Sequence, residues 1–194
     1  MEILFEDRDV VVCIKPVGLD SEHELPAKLG RDIYTVHRLD KNVGGVMVYA
    51  KNKESAAKLS KQIQCGEMIK EYVAMVEGTP PEEGVWEDLL FKDSRKNKVF
   101  VVDRQRAGVK TAKLSYRRLE AGEYSFVRVR LYTGRSHQIR VQFASRGFPL
   151  VGDHKYGARG KEKEIYLYSY CLTFKHKGEM RSFSSLPQWA TTDM

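Results

Sequence analysis

Cysteine is scarce in this chain: its 194 residues hold three, Cys13, Cys65 and Cys171, widely spaced. An odd, scattered set excludes a disulfide framework and a CxxC zinc site. Cys13 and Cys171 lie in apolar, strand-like stretches and are expected as buried thiols in a reducing compartment. Long apolar runs are also missing, since none approaches the ~18 residues of a membrane span. The N-terminus, MEILFEDRDVVVCIK, carries acids where a secretory leader carries bases, so the expected location is cytoplasmic. Repeats, low-complexity linkers and sharp boundaries are lacking, so a single domain over residues 1–194 is expected. The 42% apolar and 30% charged residues describe a globular chain rather than a disordered, collagenous or coiled-coil one. A chain this long can bury roughly 70% of the surface its unfolded form exposes.

Basic residues are plentiful and unevenly placed. The formal net charge is +7. Residues 1–97 hold 14 Lys and Arg against 18 Asp and Glu, a net of −4, whereas residues 98–194 hold 19 against 8, a net of +11. That asymmetry points either to a basic face that meets a polyanion or to charges that keep the chain dissolved.

Hydrophobic patterning supplies the elements. Ile3 to Pro16 reads as strand, polar turn and strand, with Val10–Ile14 as the apolar run. Residues 19–35 read as a loop with a short helix at Pro26–Gly30. Gly44–Ala50 is a buried strand. Asn52 caps a helix in which Ala56, Leu59 and Ile63 recur at helical spacing, closed by Gly66. Lys70–Glu77 is a strand, and a strand-rich stretch runs on to Tyr132. Within it Ser125, Val127, Val129 and Leu131 form a packed face, with Tyr124, Phe126, Arg128, Arg130 and Tyr132 on an open one. Ser136–Arg146 is a second helix, with Arg135 at its start, and Ile165–Phe174 a late strand. Many strands and few helices, not strictly alternating, predict an α+β fold with a mixed, mostly antiparallel sheet.

Two segments concentrate ionic side chains beside glycine: His37–Gly45 (HRLDKNVGG) and Thr133–Arg140 (TGRSHQIR). In the first, a carboxylate feeds a buried strand, a costly place unless it is paired and hydrogen-bonded. In the second, arginine is suited to grip a carboxylate or phosphate with a two-bond fork. Taken singly, each also fits a structural salt bridge. His37, Asp40, His137 and Asp153 would be the ligands of a metal-dependent hydrolase, but no third ligand stands near the HxxD pair in sequence. HRLD lacks the asparagine offset and glycine-rich loop of a kinase.

Taken together, the segments are far more specific. His37–Asn52, HRLDKNVGGVMVYAKN, resembles the HRLDxxTSGLLxxAK motif of RluA-type RNA pseudouridine synthases. Further family elements stand in the same order: KPVG at 15–18 for KPxG, KEYVAMVEG at 70–78 for KxYxAxVxG, TGRSHQIR at 133–140 for TGRxHQIR, and GDHKYG at 152–157 for GDxxYG. Two departures stand out. The family's Thr-Ser-Gly is Val43-Gly44-Gly45, which removes two hydroxyls that could shape the catalytic loop, and its LHA is Leu167-Tyr168-Ser169.

The resemblance implies a pseudouridine synthase fold, a mixed and mostly antiparallel sheet around a central cleft with flanking helices, without the added RNA-binding domain that precedes it in many relatives. It implies isomerisation of uridine to pseudouridine in ribosomal or transfer RNA. The reaction needs neither redox change nor energy input, so no cofactor or metal is expected. Asp40 is the catalytic carboxylate it assigns, Arg135 the partner that keeps it ionised, and Tyr72 the aromatic that stacks on uracil. Arg38 matches the residue that fills the space of a flipped base, and His37 supports the loop or touches RNA. Lys15, Lys41, Arg140, Lys155 and Arg159 are candidate phosphate contacts. The expected partner is RNA, met at a loop or bulge by a monomer. The altered Val43-Gly44-Gly45 loop keeps a rival open, a non-catalytic RNA-binding or RNA-chaperone module on the same fold.

Overall fold

The structure, a computed structural model, describes residues 1–30 and 32–190. In chain order its elements are β1 (Ile3–Glu6), β2 (Val10–Lys15), α1 (Glu24–Leu29), β3 (Tyr34–Thr35), β4 (Gly44–Ala50), α2 (Lys53–Gln64), β5 (Ile69–Glu77), β6 (Glu83–Asp93), β7 (Lys98–Val102), β8 (Val109–Glu120), β9 (Tyr124–Leu131), α3 (Gln138–Ala144), a 3-10 turn at His154–Tyr156, β10 (Leu167–His176) and β11 (Glu179–Ser184). They form two compact units, residues 1–71 with 168–190, and residues 72–167. Among the described residues no helix is long and apolar enough to cross a membrane.

In the first unit the strand order is β1-β2-β4-β10, with β3 also on β4 and β11 on β10. β4 runs antiparallel to β2 and parallel to β10. All seven of its residues are buried, which explains why Gly44–Ala50 reads as continuous apolar sequence rather than an alternation. Val10, Val12, Val46, Val48, Leu59, Leu172 and Phe174 form the core beneath α2. Each such side chain contributes roughly 1.5–3 kcal/mol by leaving water. Asn52 caps α2 as its position predicts, its side chain accepting from the Ser55 amide at 2.8 Å. α1 starts at Glu24, before the expected Pro26, because a proline inside the first turn forfeits no helical hydrogen bond.

In the second unit the order is β5-β9-β8-β6-β7, and the pairings of β6 with β7 and β8, and of β8 with β9, are antiparallel. Ser125, Val127, Val129 and Leu131 are buried as expected. The opposite face of β9 is not the open aromatic and arginine face that the alternation predicts. Phe126 is buried there, Tyr124 and Arg128 are half-covered, and only Arg130 and Tyr132 are exposed. Trp86, Tyr116 and Phe143 make a ring cluster with centroids 4.4–5.2 Å apart. Leu90, Val99, Ala112, Val141 and Tyr156 pack as a second apolar group. Cys13 and Cys171 are buried and Cys65 exposed; burial pushes the Cys13 thiol up to about 12.

Candidate active site

Asp40 lies half-buried on the loop that feeds β4. The loop is held on three sides. Leu39 is clamped by Ser21, whose hydroxyl donates to the Leu39 carbonyl at 3.0 Å and accepts from the Leu39 amide at 3.2 Å. The Val43 amide donates to the Asp40 carbonyl at 2.9 Å, closing a tight turn over residues 40–43. From below, the Lys15 ammonium donates to the carbonyls of Pro16, Lys41 and Val43 at 3.0, 3.2 and 2.8 Å. The Gly18 amide also donates a hydrogen bond to the Lys41 carbonyl at 2.8 Å. The KPVG segment is therefore the floor of the Asp40 loop.

This placement corrects the expectation that Lys15 touches phosphate. Its side chain is 0% exposed, and its three donors are directed at protein carbonyls. Burial pushes its pKa down to about 8, against the charges of Asp40, Asp20 and Glu24, which draw it back up. His37 acts as a brace. The Val48 amide of β4 donates to its Nε2 at 3.2 Å, so that nitrogen is unprotonated, and burial with the nearby Lys70 charge lowers the imidazole to about 3. Arg38 and Lys41 are exposed, with Arg38 2.9 Å from Glu22 and Lys41 3.7 Å from Glu24. Exposed pairs of this kind contribute about 0–1 kcal/mol, so Lys41 can exchange its carboxylate for a phosphate at little cost.

The altered Val43-Gly44-Gly45 segment has a steric explanation. β4 and β10 pair in parallel with Gly44 opposite Tyr168 and Gly45 opposite Ser169. Gly45 has φ +126°, and a Cβ there would stand 2.3 Å from the Ser169 carbonyl oxygen, so only glycine fits. A Cβ on Gly44 would meet the Lys15 carbonyl oxygen and Tyr168 Cε2 at 3.2 Å and Val17 Cγ2 at 3.3 Å. The Tyr168 ring thus crowds the space a residue-44 side chain would use. The two departures from the family pattern, Gly44 for serine and Tyr168 for histidine, are neighbours in space. Lys15 and Ser21 brace the loop without the two missing hydroxyls.

In the second unit, Thr133–His137 is a loop and α3 begins only at Gln138, two residues later than the expected Ser136. His137 is the cause: its backbone is left-handed, φ +50°, which no helix continues through. Arg135 consequently projects from the loop rather than from a helical turn. It is exposed, and its Nε donates to the Thr111 carbonyl at 2.9 Å. Gln138, which sequence reasoning missed, sets the loop's shape. Its buried Oε1 accepts from the Thr133 hydroxyl at 2.8 Å and the Arg135 amide at 3.0 Å, and its Nε2 donates to the Lys113 carbonyl at 3.0 Å. Glutamine at that motif position was the available signal, since a buried amide must satisfy both its ends.

Arg140 is the second correction. It is 6% exposed and forks Asp153, with Nε to Oδ2 at 2.6 Å and Nη2 to Oδ1 at 2.8 Å, so it is a structural ion pair rather than a phosphate contact. Its guanidinium lies 5.1 Å from the centre of the Tyr156 ring. The Tyr156 hydroxyl accepts from the Val99 amide at 2.8 Å and meets His137 Nδ1 at 2.9 Å. The TGRSHQIR and GDHKYG motifs are therefore two halves of one scaffold that presents Arg135. Lys155 and Arg159 are exposed near this scaffold in sequence. Tyr72, on β5, is 7% exposed.

Three of the four ligands of the hydrolase alternative are engaged otherwise: His37 by a backbone amide, Asp153 by Arg140 and His137 by Tyr156. Among the described residues no three His, Cys, Asp or Glu side chains cluster as a metal site.

Comparison with known proteins bears on this geometry. Residues 9–145 match the family model described as RNA pseudouridylate synthase. A protein of Chloroflexus aurantiacus named as an uncharacterized RNA pseudouridine synthase is 36% identical over 160 residues, covering 77% of this chain and 48% of the relative. The ribosomal large subunit pseudouridine synthase D of Pseudomonas aeruginosa is 37% identical over 177 residues, covering 82% of this chain and 54% of the relative. The chain thus spans about half the length of these relatives. The solved structure of human RNA Pseudouridylate Synthase Domain Containing 1 superposes with a TM-score of 0.86 at 21% identity, covering 97% of this chain and 84% of that one. That likeness shows the fold to be the α+β pseudouridine synthase fold, as the motifs imply.

Proposed function

The chain belongs to the RNA pseudouridylate synthase family, of the RluA type, and on that premise we propose that it isomerises uridine to pseudouridine in structured RNA, with Asp40 as the catalytic carboxylate. The observation that carries this reading is the Asp40 loop: an acidic side chain at an HRLD motif, on a backbone fixed by Ser21, Lys15 and the turn to Val43. A loop held this way keeps the carboxylate in one place while the base moves, which is what proximity catalysis requires.

In the reaction the N1–C1′ bond of the nucleotide breaks, the uracil turns, and a C5–C1′ bond forms. The C5 proton is lost and N1 gains one, so the product is an isomer and no co-reactant is consumed. Asp40 serves as nucleophile or as base for the C5 proton. Arg135 is the cation that the resemblance pairs with it, and Tyr72 offers its ring to the uracil. Arg38 enters the space that the flipped base leaves, since its planar guanidinium can stack there. Lys41, Lys155 and Arg159 meet phosphates, and His37 acts through the loop it braces. The chain works as a cytoplasmic monomer on ribosomal or transfer RNA. The printed name of the Pseudomonas relative makes large-subunit ribosomal RNA the first substrate to test.

The test is pseudouridine mapping in RNA from a strain lacking the gene, followed by treatment of that RNA with purified protein. Sites lost on deletion and restored by the protein support the reading. An RNA that stays unmodified at every protein concentration overturns it in favour of the non-catalytic RNA-binding module.

A further inference from the structure

We propose that a pocket in the second unit beside Arg135 is a phosphate subsite that takes a backbone phosphodiester of the RNA flanking the target uridine. This rests on the RNA-substrate reading above and adds residues which that reading did not contain. The pocket has a volume of about 160 Å³ and is walled by Leu90, Lys92, Val99, Lys110, Arg135 and Ser136.

Strand register explains why these side chains converge. Leu90 and Lys92 stand two apart on β6 and so share a face. Lys110 of β8 pairs directly with Leu90, and Val99 of β7 pairs directly with Lys92, which places all four on that face. Leu90 and Val99 are each 3% exposed and make an apolar floor, while Lys92 and Lys110 are exposed at its rim. The Arg135–Ser136 loop supplies the remaining wall. The bond from Arg135 Nε to the Thr111 carbonyl, one residue beyond Lys110, sets the direction of the guanidinium.

Two ammonium groups, one guanidinium and one hydroxyl thus edge a concave surface, and among the described residues that line it there is no carboxylate. The Lys92 and Lys110 ammonium groups, gathered on a face whose lining holds no counter-charge, repel, so the arrangement favours an anion that neutralises them. A phosphodiester carries one diffuse negative charge on two oxygens, and an ammonium and a guanidinium can bind them from different directions. Arg135 is the residue assigned to the Asp40 carboxylate, so a phosphate held beside it belongs to a nucleotide next to the target.

The test uses the full chain carrying Lys92→Gln and Lys110→Gln together, with a uridine-loop RNA hairpin as the probe. Binding is measured from about 50 to 300 mM salt. Each phosphate contact on single-stranded nucleic acid contributes about 0.7 to the slope of log affinity against log salt, so the double variant, which loses one phosphate, should show a slope shallower by about 0.7 and affinity about tenfold weaker at low salt. Lys92→Arg with Lys110→Arg keeps the charges and should keep both the slope and the affinity. Lys53→Gln with Lys58→Gln, on the exposed face of α2, removes the same formal charge elsewhere and should leave the slope unchanged. A double Lys92/Lys110 variant whose slope matches the α2 control overturns the subsite while leaving the RNA reading standing. A flat salt response of the unaltered protein overturns both.

Discussion

Gly44 and Tyr168 offer a sharp test of how the Asp40 loop is seated. Gly44→Ser restores the family's residue but places its Cβ 3.2 Å from both the Lys15 carbonyl oxygen and Tyr168 Cε2, and 3.3 Å from Val17 Cγ2. The Lys15 carbonyl belongs to a strand paired with β4 and cannot retreat without breaking register, so the strain falls on the Tyr168 ring and on the turn leading from Asp40. Overpacking of this degree costs about 1–3 kcal/mol. Tyr168→His shortens the ring and relieves one of the three contacts, so Gly44→Ser should cost about 1 kcal/mol less in that background, a coupling within the range expected of touching residues. Tyr168→Phe keeps the ring, loses only the weak 3.4 Å hydroxyl contact to Ser185, and should give no rescue. Denaturant midpoints and initial rates of pseudouridine formation would be measured for the parent, the single variants and the two double variants. Gly44→Ser and Tyr168→His effects that add within about 0.3 kcal/mol would refute the claim that the two positions share one space.

Two further outcomes follow from groups buried with their partners. Asp153→Asn leaves the Arg140 guanidinium buried without its counter-charge and should destabilise the second unit by about 3–5 kcal/mol in urea titration; a loss under 1 kcal/mol would show that the ion pair is not structural. His37 is lowered to about 3 from an ordinary 6.5, so between those values the unfolded chain binds a proton that the folded one refuses. Stability therefore declines as pH falls below about 6.5, by about 2 kcal/mol at pH 5 from this group. His37→Gln, which retains an acceptor for the Val48 amide, should lose less stability than the parent between pH 7 and pH 5, and an equal loss would contradict the buried neutral imidazole.

Local pattern made much of the fold legible. The continuous apolar run of β4, the helical spacing and Asn52 cap of α2, and the packed face of β9 all appear where the residues place them. What escaped depended on partners distant in sequence. Lys15 and Arg140 look like surface cations until the carbonyls of residues 41 and 43 and the carboxylate of Asp153 are brought to them. Phe126 sits at an alternation position that solvent would claim on an isolated strand, and the fold covers it. The start of α3 shifted because a motif residue, His137, adopts a left-handed backbone, a conformation uncommon for any residue other than glycine. In the candidate site the motifs point to Asp40 and Arg135; of the residues that hold their loops, Gln138 stands inside a motif, whereas Ser21 is recognised only by the burial of its hydroxyl in the fold.

The most direct measurement of the central claim is pseudouridine formation by Asp40→Asn. This change removes the carboxylate's charge and basicity and almost none of its volume, so the braces from Lys15 and Ser21 remain. The account predicts no detectable pseudouridine in RNA that the parent modifies, with RNA affinity within about threefold of the parent. Substantial turnover by the Asp40→Asn protein would contradict it.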